Sequence, residues 1–554
     1  MSNRASNLPA DIIYECLTWA ALEDPPRPKR HDEVEGLPLA FELGWIALTH
    51  VCRHWRMVGT RAASLWASIV TVFHNASIAD TLLSRAGDLE IEVEIIGGWD
   101  VRSALAQNAL SAFQWAVAHL HRAHTVHCSL SHDIDHDHPQ LVLPVLWGRT
   151  LPSLRTIIIG SQDPSRTQPL EVLSLDAPGL LSAEMTNTLP LPSSVVYSLR
   201  TLSLYVGPGV MSLTLIRLTT LLRSTPELET LRLKFFHPHR RLNHAVWYAG
   251  SSSGIEDVHL DCLKSLSITC AESTQGLDLW THILAPCATT VIIDCTDQRP
   301  TSPDRLLGTA FERQLSYFPY EVMAIRRYCI EFTTYDPTAS RSTFIVGFQM
   351  PGVTSYIQLL TTMAEHTSLG RLSALTHIRT LHLGPPYQGN RRNDLISNLL
   401  GEGRLDEAVD VGLGDAVLNL GRVFVDTTTL VLSGGEEELA LLCYVARQQP
   451  PAFLPALKTL RFHVGVGVLA IFGGMEGGPQ SWWRVMEDFL IRRADAAIPM
   501  HRIEVRGQGE LCKRGAWAQL WDSEATECCT RGLVQEVADE QVWVTVCGAC
   551  AHLS

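Results

Sequence analysis

A short motif, Leu-x-x-Leu-x-Leu with related apolar residues allowed at each leucine, recurs along most of this 554-residue chain. Apolar and polar residues alternate within each copy, which is typical of a β-strand with one buried face. Neighbouring copies often lie about 25 to 35 residues apart, so each strand belongs to a recurring unit. The clearest copies span residues 154–159, 199–204, 228–233, 263–268, 378–383 and 457–462, and weaker copies span 288–293 and 427–432.

The segments between several copies predict helices. Residues 213–222, 439–445 and 485–491 have helical apolar spacing. A helix that returns the chain to a neighbouring strand of the same direction is a right-handed crossover, which builds a parallel sheet. Because one unit cannot bury its own apolar face, the units must stack, and their spacing is similar to that of leucine-rich repeats. We therefore predict an α/β solenoid with a curved, mainly parallel sheet; an ordinary α/β domain is the alternative.

The alternation also assigns residues to the two faces of the sheet. Residues 300–350 keep the repeat poorly, and 326–332 and 342–348 predict two strands that form an antiparallel pair interrupting the array. The leucines predicted to be buried on the parallel sheet are Leu202, Leu231, Leu266, Leu381 and Leu460. The residues predicted to lie on its open surface are Arg200, Ser203, Arg232, Ser267, His382 and Arg461.

Composition narrows the class of protein. The chain is 46% hydrophobic and 18% charged, which suits a folded protein. Its net charge of −14 argues against sequence-independent binding to nucleic acid or to an anionic membrane. No apolar run is long enough to span a bilayer, and Asp11 and Glu15 interrupt any signal-peptide pattern. The 14 cysteines follow no disulfide framework, so we expect a reducing compartment, cytosol or nucleus.

The first 70 residues have a different, helical pattern. Pro9 suits the first turn of a helix, and residues 12, 13, 16, 17 and 20 form an apolar stripe after it. Residues 23–36 are rich in proline and charge and predict a loop, and a second helical pattern begins near Leu43. So small a module cannot bury all its tryptophans and aliphatic residues alone, which indicates a partner. The simpler interpretation is that these are the first helices of a larger domain.

Three elements in order identify a family for this module. Leu8-Pro9 begins an apolar helix, residues 49–58 read Thr-His-Val-Cys-Arg-His-Trp-Arg-Met-Val, and Leu65-Trp66 follow. Together they resemble an F-box, the helical module that binds a Skp-type adaptor in SCF ubiquitin ligases. The family usually has a proline where this chain has Ala63, and the loop between its first two helices is usually shorter. The resemblance implies that the adaptor contact and the module core share Leu8, Pro9, Ile12, Ile13, Val51, Cys52, Trp55, Leu65 and Trp66.

The remainder resembles the repeats of fungal F-box proteins, as in residues 221–233, where Leu-Leu-Arg-Ser-Thr-Pro precedes a repeat strand. The resemblance implies an F-box at 1–70, a leucine-rich-repeat-like solenoid at 71–510 and a C-terminal cap or tail at 511–554. It further implies a substrate receptor that joins a target protein to the adaptor and a cullin scaffold, without catalysis or cofactor. A leucine-rich interaction scaffold outside ubiquitylation is the alternative.

Catalytic and metal-site motifs lack their structural context. Residues 250–254 match the Gly-x-Ser-x-Gly nucleophile elbow, but a strand pattern follows where the elbow requires a helix. The glycine-rich residues 465–478 leave no helix to hold a pyrophosphate. The His and Asp residues of 132–138 crowd into a polar run that predicts a solvated loop. Cys547 and Cys550 have C-x-x-C spacing without a second spaced pair, although Cys528 and Cys529 lie upstream, so we predict no metal site.

Overall fold

The structure is a computed structural model in which the chain divides into two compact units. Unit 1 comprises residues 1–271 and 282–286, and unit 2 comprises residues 272–281 and 287–554. The residues that the structure describes are 8–28, 41–97, 104–130, 146, 148–161, 171–190, 197–207, 214–235, 255–270, 273–286, 289–295, 320–326, 329–334, 343–348, 377–384, 423–432, 453–465, 478–508, 511–512, 523, 526–539 and 543–544.

Unit 1 begins with helices and continues with alternating strands and helices. Its helices are α1 (Ala10–Glu23), α2 (Arg53–Arg61), α3 (Ala63–Ala67), α4 (Ala76–Ala86), α5 (Ala104–His119) and α6 (Leu215–Arg223), with 3-10 turns at Gly44–His50 and Leu120–Arg122. Its strands are β1 (Arg27–Pro28), β2 (Phe41–Glu42), β3 (Ile91–Gly97), β4 (Ala123–Leu130), β5 (Thr156–Ser161), β6 (Glu171–Leu173), β7 (Ser182–Thr186), β8 (Thr188–Pro190), β9 (Thr201–Val206), β10 (Thr230–Phe235), β11 (Val258–His259), β12 (Ser265–Cys270) and β13 (Ile283–Leu284).

Local sequence sets the ends of two of these helices. The Asn75 side chain accepts a hydrogen bond from the Ile78 backbone N–H across 3.1 Å, which caps α4, and Gly87 ends it with a φ of 62°. Thr214 caps α6 in the same way, accepting from Arg217 N across 3.2 Å. Helix α6 overlaps the predicted helix 213–222, but it begins two residues later and ends one residue later.

The main sheet of unit 1 has the strand order β12-β10-β9-β7-β5-β4-β3, and its pairs β4–β5, β5–β7, β7–β9, β9–β10 and β10–β12 are parallel. The repeat motifs lie in register, with Leu202 beside Leu231 and Leu231 beside Leu266. All three leucines are 0% exposed, which confirms their predicted burial on a parallel sheet. Helix α5 contacts β3, and α6 contacts β11.

Neighbouring repeats share one backbone hydrogen-bond arrangement at the start of each strand. The carbonyl oxygen of Arg200 accepts from the N–H groups of both Glu229 and Thr230, each across 2.8 Å. The Glu229 carbonyl then accepts from Lys264 and Ser265 in the next unit. In unit 2 the carbonyls of residues 321, 379, 428 and 458 do the same for the strands that follow them. A single peptide group therefore sets the offset between neighbouring strands.

The strands of unit 2 are also mostly parallel, so both units are α/β. Its helices are α7 (Ser273–Thr281) and α8 (Gly478–Asp495). Its strands are β14 (Thr290–Cys295), β15 (Val322–Arg326), β16 (Cys329–Thr333), β17 (Thr343–Phe348), β18 (Thr380–Gly384), β19 (Thr429–Leu432), β20 (Thr459–Gly465), β21 (Met500–Gln508), β22 (Leu511–Cys512), β23 (Val534–Asp539) and β24 (Trp543–Val544). The main order is β23-β21-β20-β19-β18-β15-β16-β17-β14.

Leu381 and Leu460 are also 0% exposed on parallel strands, as predicted. Strand β16 is antiparallel to both β15 and β17, which confirms the predicted antiparallel pair in the irregular region. The sequence predicts one strand over residues 326–332. In the structure β15 ends at Arg326 and a separate strand, β16, begins at Cys329. The predicted helix 485–491 lies inside α8, and the predicted helix 439–445 lies outside the described residues.

A buried arginine joins α8 to the segment that precedes β20. Arg493 is 0% exposed and donates to the carbonyl oxygens of Phe453 across 3.1 Å and Leu457 across 3.0 Å. Burial lowers the pKa of its guanidinium to about 10. The planar donor fork lets one side chain hold two carbonyls of the same loop, so the residue positions the strand that follows.

Among the helices that the structure describes, none has the length and apolar character needed to cross a membrane.

Candidate protein-interaction surfaces

The N-terminal helices pack around a tryptophan pair. The rings of Trp45 and Trp66 lie 4.8 Å apart, tilted by 57°, and both side chains are buried. The Trp66 indole N–H donates to the Gly59 carbonyl oxygen across 2.8 Å. The Arg85 guanidinium lies 4.5 Å from the Trp66 ring centre, which links α4 to this core. We call residues 8–67 the N-terminal module.

Gly44 allows a close approach inside the N-terminal module. Its φ is +53°, and a Cβ there would overlap the backbone of Asp24, Pro25 and Pro26. The neighbouring Trp45 N–H donates to the Asp24 carbonyl oxygen across 3.0 Å. Only glycine combines this backbone conformation with this space, so the residue fixes where the chain after α1 meets the tryptophan core.

The nine residues assigned to the adaptor contact divide by burial. Ile13, Trp55, Leu65 and Trp66 are buried, at 0%, 8%, 8% and 1% exposure. Pro9, Ile12 and Val51 are exposed, with Ile12 at 46% and Val51 at 48%, and Leu8 and Cys52 are half-buried. The structure therefore separates four buried residues from five that reach the surface.

The stripe predicted along α1 is wider than the face that it buries. Only Ile13 and Leu17 are buried, whereas Ile12 and Cys16 are exposed. With a helical turn of about 3.6 residues, Ile12, Cys16 and Trp19 fall at i, i+4 and i+7 on a second, outward face. Trp19 is 64% exposed. We call Ile12, Cys16 and Trp19 the α1 stripe; Leu22, 71% exposed, lies one turn beyond Trp19.

Sequence reasoning missed Trp19 and Leu22 because it looked for a single apolar face. A helix with apolar residues on two faces buries one against its own module and leaves the other for solvent or for a partner. Tyr14 and Met57, at 38% and 44% exposure, add further apolar surface in the module. These exposed apolar side chains make the N-terminal module a candidate contact surface.

A second surface is the open face of the unit 1 sheet. The pairing register lines up one row of hydroxyl-bearing residues across adjacent strands: Thr125, Thr156, Ser182, Thr201, Thr230 and Ser265. The next row in register is His127, Ile158, Glu184, Ser203, Arg232 and Ser267. We call these two rows the open face. Its polar character contrasts with the buried leucines of the opposite face.

The structure corrects one residue predicted for the open surface. Ser203 is only 4% exposed, because its short side chain stands between the longer side chains of Glu184 and Arg232 in the same row. Arg232 is exposed, and Ser267, His382 and Arg461 are half-buried. Arg200 is exposed but precedes β9, so the alternation of the strand does not decide its direction.

Charged side chains at the strand starts neutralise one another. Glu229 lies 3.5 Å from Arg200 on one side and hydrogen-bonds Lys264 on the other. The Lys264 hydrogen bond lowers the pKa of the Glu229 carboxyl, with a smaller effect from the Arg200 charge. His124 and Glu92 lie 3.7 Å apart on β4 and β3.

Unit 2 carries a paired network on its own sheet. Arg461 donates to Glu504 across 2.6 Å, and Arg502 lies 3.0 Å from the other Glu504 oxygen. Arg502 also lies 3.6 Å from Glu536 on β23. Glu504 is only 6% exposed, so its two arginine partners compensate the loss of water. The network ties three parallel strands together on one face.

The catalytic and metal motifs lie mostly outside the described residues. These are residues 132–138, 250–254 and 466–477 and the pair Cys547 and Cys550. Cys528 is buried and Cys529 is half-buried. Within the described part of the chain, no group of three or more His, Cys, Asp or Glu side chains is arranged to hold a metal ion.

No protein-family model matches the sequence, and a search of curated proteins finds no significant match.

Proposed function

We propose that this protein is the substrate-recognition subunit of an SCF-type ubiquitin ligase. Its N-terminal module serves as an F-box that binds a Skp-type adaptor, and its repeats form a leucine-rich-repeat-like solenoid that binds the target protein. The observation that carries the proposal is the exposed α1 stripe beside the buried Trp45–Trp66 core. A module that buries Trp45, Trp55 and Trp66 in its own core and still exposes Trp19 is suited to associate with another protein.

The adaptor contact would centre on α1 and on the start of α2. The His54 ring nitrogen lies 3.1 Å from the Leu8 carbonyl oxygen, which holds the Leu8-Pro9 turn against α2. Ile12 and Val51 are therefore presented by elements that contact each other. Binding energy in such contacts concentrates in a few central apolar anchors, each worth about 2 kcal/mol or more.

In this proposal the protein performs no bond chemistry. It holds a target close to a ubiquitin-charged enzyme elsewhere in the ligase, which raises the effective concentration of the target's lysine side chains. The repeat strands support the role because their register presents one continuous polar face to a partner.

The test is recovery of a Skp-type adaptor co-expressed with the full chain. Pro9→Ala combined with Ile12→Ala should lower recovery by at least about tenfold, because each change removes surface from an anchor. Trp19→Ala should do the same if the whole α1 stripe takes part. Leu110→Ala is the matched control, since Leu110 is 55% exposed on α5 and lies outside the N-terminal module. Unchanged adaptor recovery in the Pro9 and Ile12 double variant would overturn the proposal.

One observation favours an interaction scaffold outside ubiquitylation as the second candidate. Helix α3 contacts α4, and Arg85 of α4 covers the Trp66 ring, so the N-terminal module packs against the segment that follows it. This is the behaviour of a cap on the repeats. A cap predicts that no adaptor is recovered with the wild-type chain and that deleting residues 1–70 unfolds the adjoining strands.

A further inference from the structure

Two exposed side chains of opposite charge lie in one row of the open face without neutralising each other. Glu184 on β7 and Arg232 on β10 are both in register with Ser203 on β9, which stands between them. Strands of a sheet are spaced about 4.8 Å apart, so the two Cα positions lie about 10 Å apart across the sheet. Both side chains are exposed, and neither has a hydrogen-bond or ion-pair partner among the described residues.

The contrast with nearby charges is informative. Arg200, Glu229 and Lys264 form a chain of ion pairs immediately before β9, β10 and β12. Three residues further along, in the row of Ser203, the separation of about two strand spacings leaves Glu184 and Arg232 unpaired. The sheet therefore presents a negative and a positive site side by side at a fixed distance.

The residues around this pair are short and leave room for another chain. Arg232 lies between Ser203 and Ser267 in its row, and Thr230 precedes it on the same strand. Small hydroxyl side chains bring a partner's backbone close to the sheet and can donate to it or accept from it. Ile158, on the other side of Glu184, supplies a half-buried apolar contact.

We propose that the open face of unit 1 binds a target segment that places a basic side chain on Glu184 and an acidic side chain on Arg232. In an α-helical segment the two side chains would be about seven residues apart, and in a polyproline II segment, which has three residues per turn and a rise of about 3.1 Å, they would be about three apart. Because the two sites differ in sign, the segment can bind in one direction across the strands and not in the reverse. The inference rests on the proposed function only in taking the segment to belong to a ubiquitylation target.

Displayed random peptides are the probe, selected in parallel on the full-length wild-type chain and on the variant that combines Glu184→Arg with Arg232→Glu. Peptides selected on the wild type should carry one basic and one acidic residue at one of these spacings. Each single reversal should weaken their binding by about tenfold, because it replaces an attraction with a repulsion. Exchanging the two charges in such a peptide should restore binding to the doubly reversed variant.

Glu227→Arg is the matched control, because Glu227 is exposed in the same unit but lies outside the strands, and it should leave peptide affinity unchanged. The inference is overturned if no peptide is enriched, if enriched peptides lack the charge pair, or if they bind both reversed variants as tightly as the wild type. Adaptor recovery with the doubly reversed variant separates the two proposals. If the adaptor is lost from every form of the chain while peptide selection behaves as expected, only the ligase role fails.

Discussion

Trp66 donates its indole N–H to the carbonyl oxygen of Gly59 across 2.8 Å, in the interior of the N-terminal module. The bond ties α3 to the last turn of α2, and the same ring packs against Trp45. A phenylalanine in place of Trp66 would retain much of the packing surface but could not make this bond.

Trp66→Phe should lower the free energy of unfolding by about 1 to 3 kcal/mol, because it removes this buried hydrogen bond and part of the ring's packing surface. The Gly59 carbonyl then retains only the Ala62 N–H, at 3.2 Å. Urea unfolding followed by circular dichroism measures the effect. Trp19→Phe is the matched change at a tryptophan that is 64% exposed, and it should shift the unfolding free energy by less than about 0.5 kcal/mol. Equal effects at the two positions would contradict the assignment of Trp66 to the core.

Gly44→Ala should destabilise the N-terminal module by at least about 3 kcal/mol, because the added methyl group meets the backbone of Asp24 and Pro25 in a left-handed conformation. Gly87→Ala isolates the conformational part of this cost. Gly87 also has a positive φ, +62°, but no atom lies within 4 Å of the added carbon. It should therefore cost less, about 1 to 3 kcal/mol, which is the strain of the backbone conformation alone. Thermal unfolding of the two variants tests the difference, and similar losses would show that the close approach at Gly44 has no effect.

Leu231→Ala should cost about 2 to 5 kcal/mol through the cavity that it leaves in the core of unit 1. Leu231 is 0% exposed between Leu202 and Leu266 on adjacent strands. Leu110→Ala makes the same chemical change where the leucine is 55% exposed, and should cost far less. The urea midpoints of both variants, compared at equal m-values, measure the difference in unfolding free energy. A small loss of stability in Leu231→Ala would contradict the burial of the repeat leucines.

Glu94→Gln should stabilise the chain near neutral pH. Burial raises the pKa of the Glu94 carboxyl above its usual range, so the folded state binds this proton more tightly than the unfolded chain does. Protonation of Glu94 contributes its full stabilisation at pH values below 4.5, the ordinary pKa of a glutamate carboxyl. This contribution is lost as the pH rises through the raised pKa of the folded state. The gain in urea midpoint should therefore disappear below pH 4.5. If Glu94→Gln raised the urea midpoint equally at neutral pH and below pH 4.5, the stabilisation would not come from the ionisation of Glu94.

The repeat strands could be predicted because their signal is local. In residues 228–233 the leucines alternate with polar residues, and the structure buries Leu228, Leu231 and Leu233 while Arg232 is exposed. The division between β15 and β16 could not be predicted in the same way. Residues 326–329 contain no glycine, proline, asparagine or aspartate to signal a chain reversal, so two antiparallel strands gave one continuous pattern.

The candidate surfaces could be predicted only in part. Family resemblance pointed to Ile12 and Val51, which are exposed, but not to Trp19, because an apolar residue in an amphipathic helix is ordinarily assigned to the core. The placement of Glu184 and Arg232 in one row could not be predicted from the sequence at all. It depends on the register between β7, β9 and β10, and a shift of one residue would send each side chain to the opposite face.

The carbonyl groups that join neighbouring strand starts belong to the backbone, and every amino acid supplies one. In unit 1 the acceptors come from Arg155, Leu181, Arg200 and Glu229, four residues with little chemistry in common. The alignment of the strands is thus insensitive to the identity of the residues that provide it. Outward-facing side chains are consequently free to vary one repeat at a time, and a lineage of such proteins could acquire new binding preferences by successive point mutations while its framework stayed the same.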